Sequence, residues 1–226
     1  MALRSALDLY RPRGNRIVTD PEVEPVSVPE MKEHLRISVD NTDDDKFLTD
    51  AITESRQEIE DITGLAFVTQ TWILTLDQWP SQREPWWDGV RQGAITELHA
   101  MDGVMELPRY PLQSVPSANV YDDEGIATAG VVADVFDVDA QQMPGRMALK
   151  SGATWPIATR EINAVDVTYI AGYGNANTDV PAPLRRAVRN MVAYVYAHRG
   201  DGCDMGDAYH KSGAATIAGR YRVVKI

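Results

Sequence analysis

A single cysteine, Cys203, stands in 226 residues. Without a second thiol the chain can form neither an internal disulfide nor a cysteine-built zinc site, which suits assembly in a reducing cytoplasm. No apolar run approaches the roughly 20 residues of a membrane-spanning helix. The N-terminus, MALRSALDLYRPRGNR, lacks the apolar core of a secretory signal, so no membrane partner is expected. The four histidines (His34, His99, His198 and His210) are scattered and share no ligand spacing. A Gly-Lys-Ser/Thr phosphate loop, a Gly-x-Ser-x-Gly elbow and a His-Glu-x-x-His pair are all missing. Gly172 and Gly174 resemble the start of a dinucleotide loop, but Asn177 stands where the third glycine belongs. Pro181 and Pro183 occupy the following helix start, whose N–H groups would have to hold a pyrophosphate. Carboxylate pairs are numerous in so acidic a chain and nothing singles one out. No enzyme activity, cofactor or metal is expected.

What the sequence does have is charge, unevenly placed. The net charge is −11. Residues 17–63 carry fourteen acidic side chains against four basic ones. The first sixteen residues hold Arg4, Arg11, Arg13 and Arg16 against Asp8 alone, and the last seven hold Arg220, Arg222 and Lys225 with no acid. Basic ends around an acidic body are either solvated tails or segments that reach for acidic neighbours. The length and a hydrophobic content of 44% suit one domain, or one domain with an elaborated insertion.

Residues 1–26 contain Pro12, Pro21 and Pro25 and no clear period, predicting an extended arm. Ser27 and Pro29 open a short helix near 29–36, with Met31, His34 and Leu35 on one side. The aspartate-rich stretch at 40–45 supplies acceptors and charge for a helix start; it lacks the alternating ligands and central glycine of a calcium loop. From 44 to 63, Leu48, Ile52, Ser55, Ile59 and Ile62 recur as one helical stripe, flanked by Glu54, Glu58 and Asp61 and stopped by Gly64. Residues 68–76 alternate as a strand. Trp79, Trp86 and Trp87 follow in an irregular stretch, as a local mini-core, an interface anchor or a stacking platform. Short strands are expected between 105 and 170, with turns at residues 122–125 and at Pro144-Gly145.

Residues 164–200 organise the rest. Val165, Val167 and Tyr169 alternate with Asp166, Thr168 and Ile170, and glycines break the strand. Leu184, Val188, Met191, Val192 and Val195 then recur at helical spacing over 182–199, with Gly200 as the stop. That helix carries Arg185, Arg186, Arg189 and Arg199 without an acidic residue between them. Its basic face and the acidic flank of 44–63 are either solvated surfaces or two faces that meet, within or between subunits, where they set orientation more than stability.

This stretch resembles the head–tail connector (adaptor, or head-completion) proteins of long-tailed bacteriophages and gene-transfer particles. The resemblance rests on Val167-Thr168-Tyr169 running into Ala171-Gly172-Tyr173-Gly174, then Asp179-Val180-Pro181-Ala182-Pro183-Leu184. Leu35-Arg36-Ile37 after a proline-initiated helix extends it, as do Pro111-Leu112, Ser114-Val115 and Tyr121-Asp122 before an acidic-glycine turn. Tyr221-Arg222 and a basic tail resemble the family's closing segment, with Arg220 where the family usually has proline.

The expected fold is α+β. It comprises a small bundle of about three main helices, a small, mostly antiparallel sheet insertion and extended N- and C-terminal arms. The expected divisions are an arm at 1–26, a connector domain at 27–200, and a mobile loop and tail at 201–226. The resemblance implies a structural virion protein of the neck, forming a roughly dodecameric ring. It implies as partners the portal protein, the next neck protein (a stopper or tail terminator), further copies of itself, and double-stranded DNA passing unbound through the lumen. The tail residues Arg220, Tyr221, Arg222, Val223 and Lys225 are assigned to the portal. Glu54, Glu58, Asp61, Arg185, Arg186 and Arg189 are assigned to the subunit interface. The other readings are a stopper or tail-terminator ring, and a carboxylate-dependent hydrolase.

Overall fold

The longest periodic stretch of the sequence forms the longest helix. In a computed structural model that describes residues 14–77, 79, 104–130, 132–154, 156–200 and 204–222, helix α2 (Asp45–Thr63) buries Leu48, Ala51, Ile52, Ser55, Ile59 and Thr63. These positions, three and four apart, share one face, and burying each of the large aliphatic ones contributes about 1.5–3 kcal/mol. Gly64 ends the helix in the left-handed conformation (φ 81°), its N–H bonded to the Glu60 carbonyl at 2.8 Å. The chain divides into two compact units. One is built from Asp20–Gln70 and the described residues from Ala171 onward; the other is built from Thr71–Ile170 and the described residues up to Thr19.

The first unit is helical. Helix α1 (Val28–Leu35) begins with a reciprocal cap. The Ser27 N–H donates to Glu30 Oε2 at 2.8 Å, and the Glu30 N–H donates to Ser27 Oγ at 3.4 Å. Met31 is buried and His34 is exposed, so only part of the expected apolar side faces the core. Helix α4 (Ala182–Ala197) buries Leu184, Ala187, Val188, Met191 and Val192 against α2. It stops at His198 rather than Gly200. Two further helices, α5 (Met205–Lys211) and α6 (Ala214–Ala218), pack on α2 and α4 through buried Ala208, Tyr209, Ala214 and Ala218. This corrects the expectation of a mobile loop and tail over that stretch. Asp204 caps α5 by accepting from the Asp207 N–H at 2.6 Å, and the small alanines allow close approach without a long apolar run to announce it. The glycines before α4 are required by packing. Gly172 has φ 141°, and a Cβ there would lie 2.6 Å from the Thr69 nitrogen. At Gly174 a Cβ would meet the Asp179 carboxylate.

The second unit is built of sheets. Strands β1 (Gly14–Thr19), β2 (Gln70–Leu76), β4 (Leu112–Tyr121), β5 (Ala127–Gly130) and β8 (Val165–Ala171) form a five-stranded sheet in the order β1-β2-β8-β4-β5. Strands β3 (Val104–Glu106), β6 (Phe136–Asp139) and β7 (Arg146–Leu149) form a second sheet in the order β3-β7-β6. The short helix α3 (Val132–Val135) precedes β6. The β1–β2, β4–β5, β3–β7 and β6–β7 pairs are antiparallel. Two sheets thus replace the single one expected. Residues 14–19, read as part of an extended arm, are an edge strand of the larger sheet. In β8 the alternation is complete, with Val165, Val167, Tyr169 and Ala171 buried. The Tyr169 hydroxyl donates to Asn15 Oδ1 at 2.8 Å across the sheet, and burial pushes the phenol well up. Trp79 is a packing residue: its ring lies 5.3 Å from that of Phe136 and its indole N–H donates to the Pro156 carbonyl at 2.9 Å. Trp86 and Trp87 lie outside the described residues.

Candidate assembly surfaces

Because Leu184, Ala187, Val188 and Met191 turn α4 toward its core, the intervening arginines face elsewhere. Arg186 is exposed, and Arg185 and Arg189 are half-buried. Their charges reach Glu30 on α1. The Glu30 carboxyl is held below its ordinary value by the Ser27 backbone N–H first, then by the Ser27 hydroxyl and by Arg185 and Arg189, against a partial burial penalty. An acid neighbour within the same subunit was not legible in the sequence, where 30 and 185 are far apart. None of Arg185, Arg186 and Arg189 forms an ion pair among the described residues. Arg185 Nε is buried without a hydrogen-bond partner there.

Along α2, Glu54 and Asp61 are exposed and Glu58 is half-buried. Neither Glu54 nor Glu58 pairs with the α4 arginines among the described residues. Glu58 instead lies close to Tyr209 on α5. Burial raises that phenol above its ordinary value; the Arg222 charge opposes the shift and the Glu58 charge adds to it. The charges of a predicted tail residue, Arg222, and of a predicted interface residue, Glu58, thus both act on one phenol. Arg220 and Tyr221 sit in a 3-10 turn (Gly219–Tyr221), with Arg220 and Arg222 exposed. Val223 and Lys225 lie outside the described residues.

Within the aspartate-rich stretch expected to serve the helix start, Asp44 bonds elsewhere. It occupies the cap position of α2 but makes no side-chain cap bond. Its carboxylate accepts from the Tyr196 hydroxyl and from Arg199 Nη1, both at 2.7 Å. Those two bonds and the arginine charge hold it below the usual carboxylate range. Arg199 also lies 4.1 Å from the Tyr196 ring centre and 5.3 Å from that of Phe47. The last turn of α4 is thus clasped to the first turn of α2, and Arg199 is used within the subunit.

A second cluster is buried. Arg56 bonds Glu60 Oε2 at 2.7 Å and Glu24 Oε2 at 2.8 Å. Glu60 Oε1 accepts from the Phe67 N–H at 2.7 Å and from Gln70 Nε2 at 2.8 Å. Arg56 and Glu60 are 3% and 4% exposed, a depth at which a lone charge is not tolerated. Burial pulls the guanidinium down, and its pairing with Glu24 and Glu60 outweighs that, leaving it above its ordinary value. Neither residue stands out in the sequence except through the position of Arg56 beside the apolar stripe of α2. Among the described residues no group of three or more histidine, cysteine or acidic side chains is arranged to hold a metal, and no helix is long and apolar enough to cross a membrane.

Comparison with solved structures finds this fold elsewhere. A chain in the neck of an empty gene transfer agent (GTA) particle, computed with C6 symmetry, superposes with a TM-score of 0.70 at 21% identity, covering 94% of this chain and 96% of that one. A chain in the neck of the native particle, computed with C12 symmetry, gives 0.67 at 20% identity over the same shares. A chain in the virion of the native particle gives 0.70 at 21%. No family model and no curated protein matches the sequence. Over nearly its whole length the chain has the fold of these neck chains.

Proposed function

We propose that this protein is a ring-forming subunit of the neck of a phage-like particle, set between the portal vertex and the tail, with a structural and not a catalytic role. The observation that carries the reading is the shared fold over 94% of the chain with a chain from a GTA neck. The order of connector-like motifs along residues 26–200 supports it independently of the superposition. The C12 symmetry of one matched neck makes a twelvefold ring the natural arrangement. The protein is assembled in the host cytoplasm and ends in the virion. Its partners are further copies of itself, the portal protein on one side and a stopper or tail terminator on the other. A ring closes through head-to-tail contacts between two different faces of each subunit. The α2 flank of Glu54, Glu58 and Asp61 on one copy meets Arg185, Arg186 and Arg189 of the next. Arg186, exposed and without an ion pair among the described residues, supports that assignment. The basic end, with Arg220, Tyr221, Arg222, Val223 and Lys225, reaches the portal. A net charge of −11 per subunit repels phosphate, so double-stranded DNA passes through the lumen without sticking.

The test is co-sedimentation of the purified chain with the portal protein of the same source, with and without residues 219–226. Retention that depends on those residues is expected. Retention without them moves the portal contact elsewhere, and no retention on intact portal turns the reading toward a lower neck ring. In parallel, R185E/R186E/R189E should impair ring assembly; unchanged assembly removes those arginines from the interface.

A further inference from the structure

The sheet unit carries an open cleft of ≈ 460 Å³ lined by Gly14, Asn15, Arg16, Thr75, Tyr121, Arg160, Asn163 and Asp166. Its floor is a row of side chains from β2, β8 and β4. Both oxygens of Asp166 are taken by neutral donors, the Thr75 hydroxyl at 2.5 Å and the Tyr121 hydroxyl at 2.9 Å. The two cations receive no such compensation. Arg160 lies 6.0 Å from the Tyr121 ring centre, and neither Arg160 nor Arg16 forms an ion pair among the described residues; both are exposed. The segment that supplies Arg160 and Asn163 also presents Ile157 and Ile162, 85% and 67% exposed. Asn163 is held at φ 53°, its N–H donating to Asp77 Oδ1 at 2.9 Å. The cleft thus offers surplus positive charge, and the segment that lines it with Arg160 and Asn163 also bears bare apolar side chains, which suits an acidic group flanked by an apolar one.

The helical unit presents such a pair. Between α1 and α2, Val39 is 60% exposed and Asp40 beside it is exposed, with no partner among the described residues. The turn that carries them is built. Arg36 takes the left-handed conformation (φ 59°) to leave α1, and the Asn41 N–H bonds the Ser38 carbonyl at 3.1 Å. Lys32, only 3% exposed, donates its ammonium to the Val39 carbonyl at 3.1 Å while paired with Asp45. A lysine is seldom buried unless paired. Here the buried charge fixes the backbone of a surface turn on which Val39 and Asp40 stand exposed.

The geometry points to a second subunit contact. The turn with Val39 and Asp40 of one copy docks in the cleft of the next, its carboxylate between Arg16 and Arg160 and its valine against Ile157 and Ile162. This inference rests on the ring reading, and it supplies the heterologous, head-to-tail pairing that a closed ring requires. An acidic rather than a phosphate-bearing occupant follows from Asp166, whose carboxylate at the floor disfavours a doubly charged anion.

The experiment is sedimentation velocity on the full chain, alone and on portal particles, comparing wild type with R16E/R160E, D40R and the swapped variant R160D/D40R. Circular dichroism of each variant confirms that it folds. The two disruptive variants should each weaken self-association by about tenfold or more, and the swap should restore much of it. Unchanged association of R16E/R160E overturns the contact and leaves the ring reading standing. Weakened association that the swap does not restore overturns Asp40 as the occupant. Lost retention on portal with intact self-association assigns the cleft to the portal protein and overturns the inference too. A wild-type chain that self-associates in neither setting overturns the ring reading itself.

Discussion

Arg56 and Arg199 perform the same task in opposite surroundings. Each ties helix α2 to a segment distant in sequence: Arg56 to Glu24, and Arg199 to Asp44 at the start of α2 from the end of α4. Arg56 is buried between two carboxylates, and its partner Glu60 also accepts from a backbone N–H and a buried amide. Arg199 has a side chain 42% exposed and relies on the faces of Tyr196 and Phe47 as much as on its carboxylate. The buried cluster carries the larger share of stability, because removing one member leaves the charge of another uncompensated in a low-dielectric interior. The surface clasp is an orienting device whose loss water can absorb.

Breaking the buried side should have the largest effect. Arg56→Ala removes the Arg56 counter-charge from the buried Glu60 carboxylate, and should cost about 3–5 kcal/mol in denaturant unfolding; a loss below about 1 kcal/mol would show that water reaches the site. Glu60→Gln keeps an acceptor for the Phe67 N–H but removes one charge from Arg56, so a smaller loss of about 1–3 kcal/mol is expected in the same assay. Ser27→Ala removes one half of the α1 cap and should cost about 1 kcal/mol. Arg199→Ala should change stability least of the four. Its signature is salt: raising ionic strength should shrink the difference from wild type, since exposed pairs are screened far more than buried ones. If Arg56→Ala loses its effect in salt as well, the contrast between the two arginines fails.

Acid titration sharpens the same contrast. The Asp44 carboxyl titrates below its ordinary 3.8 in the folded chain. It therefore contributes stability that is fully present above that ordinary value and is lost as pH falls through the lower folded one. Asp44→Asn should flatten that part of the stability curve. A curve unchanged below pH of about 4 would mean that the clasp does not persist in solution.

The two helices with clean periodicity were legible because burial on one face repeats every three or four residues, and α2 and α4 lie within two residues of their expected ends. Ser27 and Gly64 act as their residue types dictate. The hairpin turns at Asp122–Gly125 and Pro144–Gly145 also sit where local chemistry placed them. α5 and α6 were missed, since seven- and five-residue helices hold too few apolar positions to show a period, and their glycines and polar residues look like a loop. β1 was missed because a strand with only one neighbour needs no continuous apolar pattern. Within the stretch at 40–45, Asp44 makes no cap bond for a different reason: its donors come from Tyr196 and Arg199, far along the chain.

By itself, the sequence determined the class of the protein: an acidic, cysteine-poor α+β chain with two amphipathic helices and opposite charge on their outer faces. These follow from composition and from local periodicity, which depend only on near neighbours. Only the tertiary structure decided which charges are spent and which are left over. It enclosed Arg56, gave Arg199 to Asp44, brought the charges of Arg185 and Arg189 to bear on Glu30, and left Arg16, Arg160 and Asp40 without ion pairs among the described residues. Ion pairing depends on distance in space, and residues that meet across the fold carry no mark of it in their own neighbourhoods.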